Sequence, residues 1–352
     1  MSERALSSTS ADPVVQLLGR FNASPGFLVS TATLGKRLPA TIGNDEVAIV
    51  LPEWQDIQDR PARWYLSAPE VMREVARPDT PAEEDGRWGE LLADYQAAGQ
   101  SGGGGGYANV DRFALVTEVS SGSTSDVASR LHTAVRSWWR VVSSWIEAVS
   151  GQLLDPGSQR ATVVLGQETP FWEITSTQPA RSVSVTTTVD IDLNSRDLVG
   201  ILGHAELERV FALASRGCEP PLEWQLISSA RGALNTANWR RAVIDAGTAA
   251  ELAVTSKIET LTGGVDSQIR SALLSGYQML GKRSELVEKL GGKLPDRFRD
   301  SLIGPRNSAV HRGVVTPEEA QKAVAASVKV VKQNGPVHGV ELFELPSGAI
   351  SR

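Results

Sequence analysis

Cysteine is nearly absent from this chain of 352 residues, and Cys218 stands alone. A single thiol excludes an intrachain disulfide and a cysteine-built zinc site, and it suits a reducing compartment. Long apolar runs are missing too. No stretch approaches the roughly 20 residues that a membrane helix needs, and residues 1–13 mix charge and serine without an apolar segment, so no secretory signal is visible. A cytoplasmic protein with no membrane association is the expectation. An overall positive charge is also lacking: the formal net charge is -6, so any binding of nucleic acid must come from a local patch. Only four histidines occur, and no histidine cluster or internal repeat is seen. The glycine run Gly102–Gly106 lacks the Lys-Ser or Lys-Thr of a phosphate loop and reads as a flexible connection.

What remains is an ordinary globular composition, with 41% hydrophobic and 22% charged residues over a length that suits about two domains. The first half is rich in short β-branched runs: Phe27–Leu34, Val47–Leu51, Phe113–Val119 and Thr162–Leu165. A strict alternation from Val183 through Val185, Thr187, Val189 and Ile191 to Leu193 predicts a half-buried strand. Between them Val127, Leu131, Val135, Trp138, Val142, Trp145, Val149 and Leu153 recur at helical spacing behind Ser123-Thr124. They predict one long amphipathic helix whose tryptophans pack on the sheet. The Pro- and acid-rich stretch 76–85 reads as an exposed connection.

From about Ser195 the texture becomes helical. Amphipathic segments run over 198–213, from Pro220-Pro221 to Leu234, over Trp239–Leu261, over Ile269–Leu280 and near Ser284–Leu290. The last helix is signed by Thr316, Pro317 and Glu319 as cap, first position and capping box. The fold class is therefore α+β. A β-rich domain over residues 1–194 carries one long helix, an all-α bundle follows over 195–335, and a tail occupies 336–352.

The chemistry-bearing motif is Arg306-Asn307-Ser308-Ala309-Val310-His311 after Gly304-Pro305. Arginine offers a permanent planar charge to phosphate oxygens, and histidine gives and takes protons near neutral pH. Pro305 suits the first position of a helix, which would put Arg306 and Asn307 where free amides and the helix dipole favour a phosphate. Asn307 and His311 are four apart and share a face, whereas Arg306 points about 140° away from His311 on a regular helix. Eight basic residues against four acidic ones over 282–312 leave a local +4 in an acidic chain. Arg297, Arg299 and Arg312 are the candidate RNA-binding cations.

With Trp239–Val254 and its Ala-Ala-Glu251 upstream, and a closing helix downstream, this segment resembles a HEPN domain (higher eukaryote and prokaryote nucleotide-binding). The likeness spans 198–333. That family carries an arginine, often followed by Asn, Asp or His, with a histidine four to six residues on. Arg306, Asn307 and His311 fit all three elements. The resemblance implies a metal-independent ribonuclease without a cofactor, working as a homodimer in which two motifs face each other. His311 would be general acid or base, Arg306 would stabilise the phosphorane, and Asn307 would orient an oxygen or the ring. Glu251 and Asp245 are candidate supporting carboxylates, with Glu251 the better match.

Three readings stay open. The first is an RNA-cutting effector of toxin or antiphage type, its first half sensing a signal, ligand or partner. The second is a non-catalytic HEPN-like module for dimerisation or nucleotide binding, in which Arg306 is a salt-bridging residue and His311-Arg312-Gly313 a helix end. The third is a carbohydrate- or peptide-binding β-sandwich with a helical dimerisation tail.

Overall fold

The computed structural model describes residues 13–54, 65–73, 88–92, 106–154, 171–175, 178–183 and 200–335. It divides into two compact units, one of residues 1–146 and 201–219, the other of residues 147–200 and 220–352.

The first unit is organised by a long antiparallel pair. Strand β1 (Val14–Ser30) runs against β6 (Tyr107–Ser120) along its length, with an irregularity where Asn22 pairs Arg112 and Phe27 pairs Val110. The other edge of β6 is shared by β3 (Asp45–Val50) and β5 (Gly89–Leu92). β2 (Arg37–Ile42) extends the sheet from β3 and β4 (Tyr65–Leu66) extends it from β5. A one-turn helix α1 spans Glu70–Arg73.

Helix α2 (Thr124–Ser150) follows the expected stripe from Val127 to Val149, for Val127, Leu131, Val135, Trp138, Val142, Trp145 and Val149 are all buried, but it ends before Leu153, which was expected to close the stripe. Trp139, which the stripe omitted, meets Phe21, Phe27 and Phe113 at tilted ring angles, while Trp138 meets Phe113 and Phe211. The aromatics are therefore core, each adding directional ring contacts to its buried area.

Helix α3 (His204–Ser215) corrects the expected division at 194/195. Its segment, Ile201–Glu219, clusters with the sheet and not with the later helices. Leu202 bridges Val29 as a parallel partner, Ser30 N–H donates to Leu202 O at 2.9 Å, and Thr41 N–H donates to Ser215 Oγ at 2.8 Å. Periodicity announces a buried face but not the surface that covers it. Phe211, expected in the bundle, lies against Trp138.

The second unit is the helical one. It comprises a hairpin of β7 (Phe171–Thr175) with β8 (Gln178–Val183), then α4 (Leu222–Asn235), α5 (Trp239–Leu261), α6 (Ser267–Gly276), α7 (Leu280–Lys289), α8 (Gly304–His311) and α9 (Pro317–Asn334). The strand expected over 183–193 lies outside the described residues apart from Val183, which ends β8; the run 162–165 and the stretch 76–85 also lie outside them.

Helix α5 is central and is packed by α4, α7, α8 and α9. Its buried positions are Ala242, Val243, Ala246, Gly247, Ala249, Ala250, Ala253, Val254 and Ile258, small enough to admit neighbours on several sides. Ser327 Oγ of α9 donates to Ala246 O at 2.6 Å, so the close approach satisfies a buried hydroxyl. α9 begins as the sequence indicated: Thr316 accepts from Glu319 N–H, the Glu319 carboxylate takes Thr316 N–H, and Pro317 holds the first turn. No helix among the described residues is long and apolar enough to cross a membrane.

Candidate functional site

The sequence motif folds onto the central helix. The stem of Arg306 crosses α5 at Gly247, where a Cβ would stand 2.7 Å from Arg306 Cδ and 3.0 Å from Cγ. Only glycine leaves that groove. One turn on, Glu251 takes the guanidinium: Arg306 Nη2 donates to Glu251 Oε2 at 2.9 Å. One turn further, Thr255 closes the row, since its hydroxyl bonds Glu251 O at 2.7 Å. Gly247, Glu251 and Thr255 lie at successive fours and so line one face of α5.

A second guanidinium, not singled out in the motif, reaches the same carboxylate. Arg283 of α7 donates to Thr255 Oγ1 at 2.6 Å and to Tyr277 O at 3.0 Å, and its Nη1 lies 3.4 Å from Glu251 Oε1. The side chains of Arg306, Glu251 and Arg283 retain 24%, 21% and 20% of their exposure, so the cluster is screened but reachable. One carboxylate between two arginines leaves a net charge of +1. Such a group can hold a phosphate oxygen without losing its own anchoring.

The other end of α8 is open. Asn307 and His311 are exposed on a shared face, and Arg240 Nε donates to Ala309 O at 2.9 Å, bringing another cation to the carbonyl end of this helix. Gly313 (φ 72°) ends the helix, its N–H bonding Ser308 O at 3.0 Å. Val310 and Val314 are exposed beside His311, Val314 at 72%. Arg306 and His311 therefore diverge within one chain, as helical geometry requires.

Several expectations are redrawn by the geometry. The start of α8 is not an open helix terminus. It continues a π-helical turn over Arg299–Ile303, and Ile303 itself is helical, so the first-turn amides lie inside a helical run and not at a free anion-binding end. Asp245 does not join the cluster. It accepts from Ser229 Oγ at 2.7 Å and pairs with Arg241 at 3.4 Å; six residues separate it from Glu251, about 240° around the helix. Of the three candidate RNA-binding cations, Arg299 is paired with Glu285 and Glu288 at 3.7 and 3.5 Å, whereas Arg297 and Arg312 are exposed without an ion-pair partner among the described residues. Among the described residues no three His, Cys, Asp or Glu side chains stand together as a metal-ligand group.

Arg283 and Gly247 escaped the sequence reading because their roles come from tertiary contacts. The face shared by Gly247, Glu251 and Thr255 was the available signal. No protein-family model, curated protein or solved structure matches the chain.

Proposed function

We propose that the helical unit is a HEPN-type endoribonuclease that cuts RNA by 2′-OH attack on the adjacent phosphorus. In this step the 2′-oxygen bonds to phosphorus as the P–O5′ bond breaks, leaving a 2′,3′-cyclic phosphate and a 5′-OH. His311 takes the proton of the 2′-OH, and His311 of the partner subunit returns a proton to O5′. Arg306 offsets the charge growing on the phosphorane oxygens, and Asn307 orients an oxygen or the imidazole.

The observation that carries the reading is the combination on one short helix of an arginine fixed by Glu251 in a net-positive cluster and a histidine standing free at the exposed end. An arginine serving only as a surface salt bridge would need neither the Gly247 groove nor the second guanidinium. Because Arg306 and His311 diverge, two copies around a twofold axis bring an arginine of one and a histidine of the other to a single phosphate. The exposed Val310 and Val314 give that axis an apolar border.

A second reading has its own support. The Arg306–Glu251–Arg283 cluster also fastens α8 and α7 to α5, which is a structural task sufficient in itself. The two readings separate on cleavage. Purified protein is incubated with RNA in EDTA and the new ends are read by mass spectrometry. Cyclic-phosphate ends that vanish with His311→Ala support catalysis. Uncut RNA, or cutting at the wild-type rate by His311→Ala, supports the structural role.

A further inference from the structure

One arginine of the helical unit has a buried nitrogen and no counter-charge among the described residues. Arg231 of α4 has its Nη1 buried without a hydrogen-bond partner, and its guanidinium makes no ion pair or hydrogen bond with any described residue. A cation removed from water and left unpaired is among the most unfavourable arrangements a fold can hold. A carboxylate that reaches the same helix is otherwise engaged. Glu147 accepts from Ser228 Oγ at 2.7 Å, one turn before Arg231, and from Leu154 N–H at 2.8 Å, and it forms no ion pair with Arg231.

The neighbouring ionisable group raises the cost. Lys332 lies on α9, which packs on α4, and its pKa is lowered first by burial and then by the charge of Arg231. Burial pushes the Arg231 guanidinium down to about 10, and no carboxylate acts on it to raise it again. At about 10, the Arg231 guanidinium stays cationic at neutral pH. Arg231 and Lys332 thus lie on packed helices, and neither has a carboxylate partner among the described residues. Lys332 itself is exposed, so the pair is open on that side.

We propose that Arg231 and Lys332 form a binding site for a phosphate group, apart from the Arg306–Glu251–Arg283 cluster. The planar fork of Arg231 supplies directed donors from within, and the Lys332 ammonium supplies a mobile point charge at the mouth. A dianionic phosphate matches two cations in charge as a monovalent anion does not. The site is independent of the nuclease reading and stands whether or not RNA is cut.

Thermal unfolding of the full-length protein tests it, with inorganic phosphate, the phosphate monoester adenosine 5′-monophosphate, and sodium chloride at matched ionic strength. At phosphate roughly ten times its Kd the Tm rises by about 3–6 °C above the chloride control. A larger shift with the monoester at the same concentration assigns the source to an organic phosphate, and an equal shift assigns it to the phosphate group alone. In Arg231→Met the shift disappears, and without phosphate this variant is at least as stable as wild type, because it removes an unpaired buried charge. Lys332→Met, whose side chain is exposed, loses most of the shift with the fold intact. Phosphate that stabilises no more than chloride overturns the proposal. So does a shift retained in both variants, or an Arg231→Met protein that is less stable than wild type in phosphate-free buffer.

Discussion

The sheet unit and the helical unit fill their interiors with opposite materials, and the contrast explains where polar chemistry can sit. Around β1, β6 and α2 the core is large and aromatic, with Phe27, Phe113, Trp138, Trp145 and Phe211 buried and ring centroids 5–6 Å apart in several pairs. Such a core fills its volume with rings and offers few polar partners: Trp145 Nε1 donates to Cys218 O at 2.6 Å, whereas the buried Trp138 Nε1 has no hydrogen-bond partner among the described residues. Around α5 the core is alanine, glycine and valine. Small side chains let helices approach closely and leave grooves that a guanidinium stem can fill. A half-buried cluster of two arginines and a carboxylate has a place in the second unit and none in the aromatic layer.

Substitutions can break or sharpen that contrast. The largest stability effect belongs to the rings: Phe113→Ala should cost about 3–5 kcal/mol, read as the denaturant midpoint, because a rigid aromatic layer relaxes poorly into the cavity. Next is Glu251→Ala, which strands two arginines at once. A loss of about 1.5–3 kcal/mol is expected in the same measurement. A value near zero would mean that the guanidiniums are paired by water and that the cluster has little to do with the packing of α7 and α8. Thr316→Ala, which removes the hydroxyl half of the α9 capping box, should cost about 1 kcal/mol.

Gly247→Ala separates structure from function most cleanly. Alanine is the better helix former by about 1 kcal/mol, which offsets crowding against Arg306 and keeps the stability change small. The new Cβ must nevertheless displace the Arg306 stem, and a displacement on the order of 1 Å can cost about 10²-fold in rate. RNA cleavage should therefore fall with the Tm nearly unchanged.

Much of this architecture was legible where a local rule governs it. The stripe from Val127 to Val149 and the Thr316–Glu319 capping box depend on residues three and four apart, and both stand as read. The α+β division, with a sheet first and helices after, followed from the change in hydrophobic period. Residues 201–219 were grouped with the wrong neighbours, because an apolar stripe on α3 fits a sheet as well as a bundle. The choice between Glu251 and Asp245 was half legible: their separation of six already puts them on different faces, but only the fold tells which face meets Arg306. The π-helical turn ahead of α8 left no local mark, and the pairing of Arg283 with Thr255 joins positions 28 residues apart.

The central claim is that one exposed histidine and one anchored arginine on α8 are reagents for RNA. Mass spectrometry of RNA ends after incubation in EDTA, with wild type, His311→Ala and Arg306→Ala compared at equal folded concentration, tests it most directly. The account predicts 2′,3′-cyclic phosphate and 5′-OH ends from wild type, with the rate lowered about 10²- to 10⁴-fold by His311→Ala. RNA left intact by wild type, or the same ends at the same rate from both variants, would contradict it.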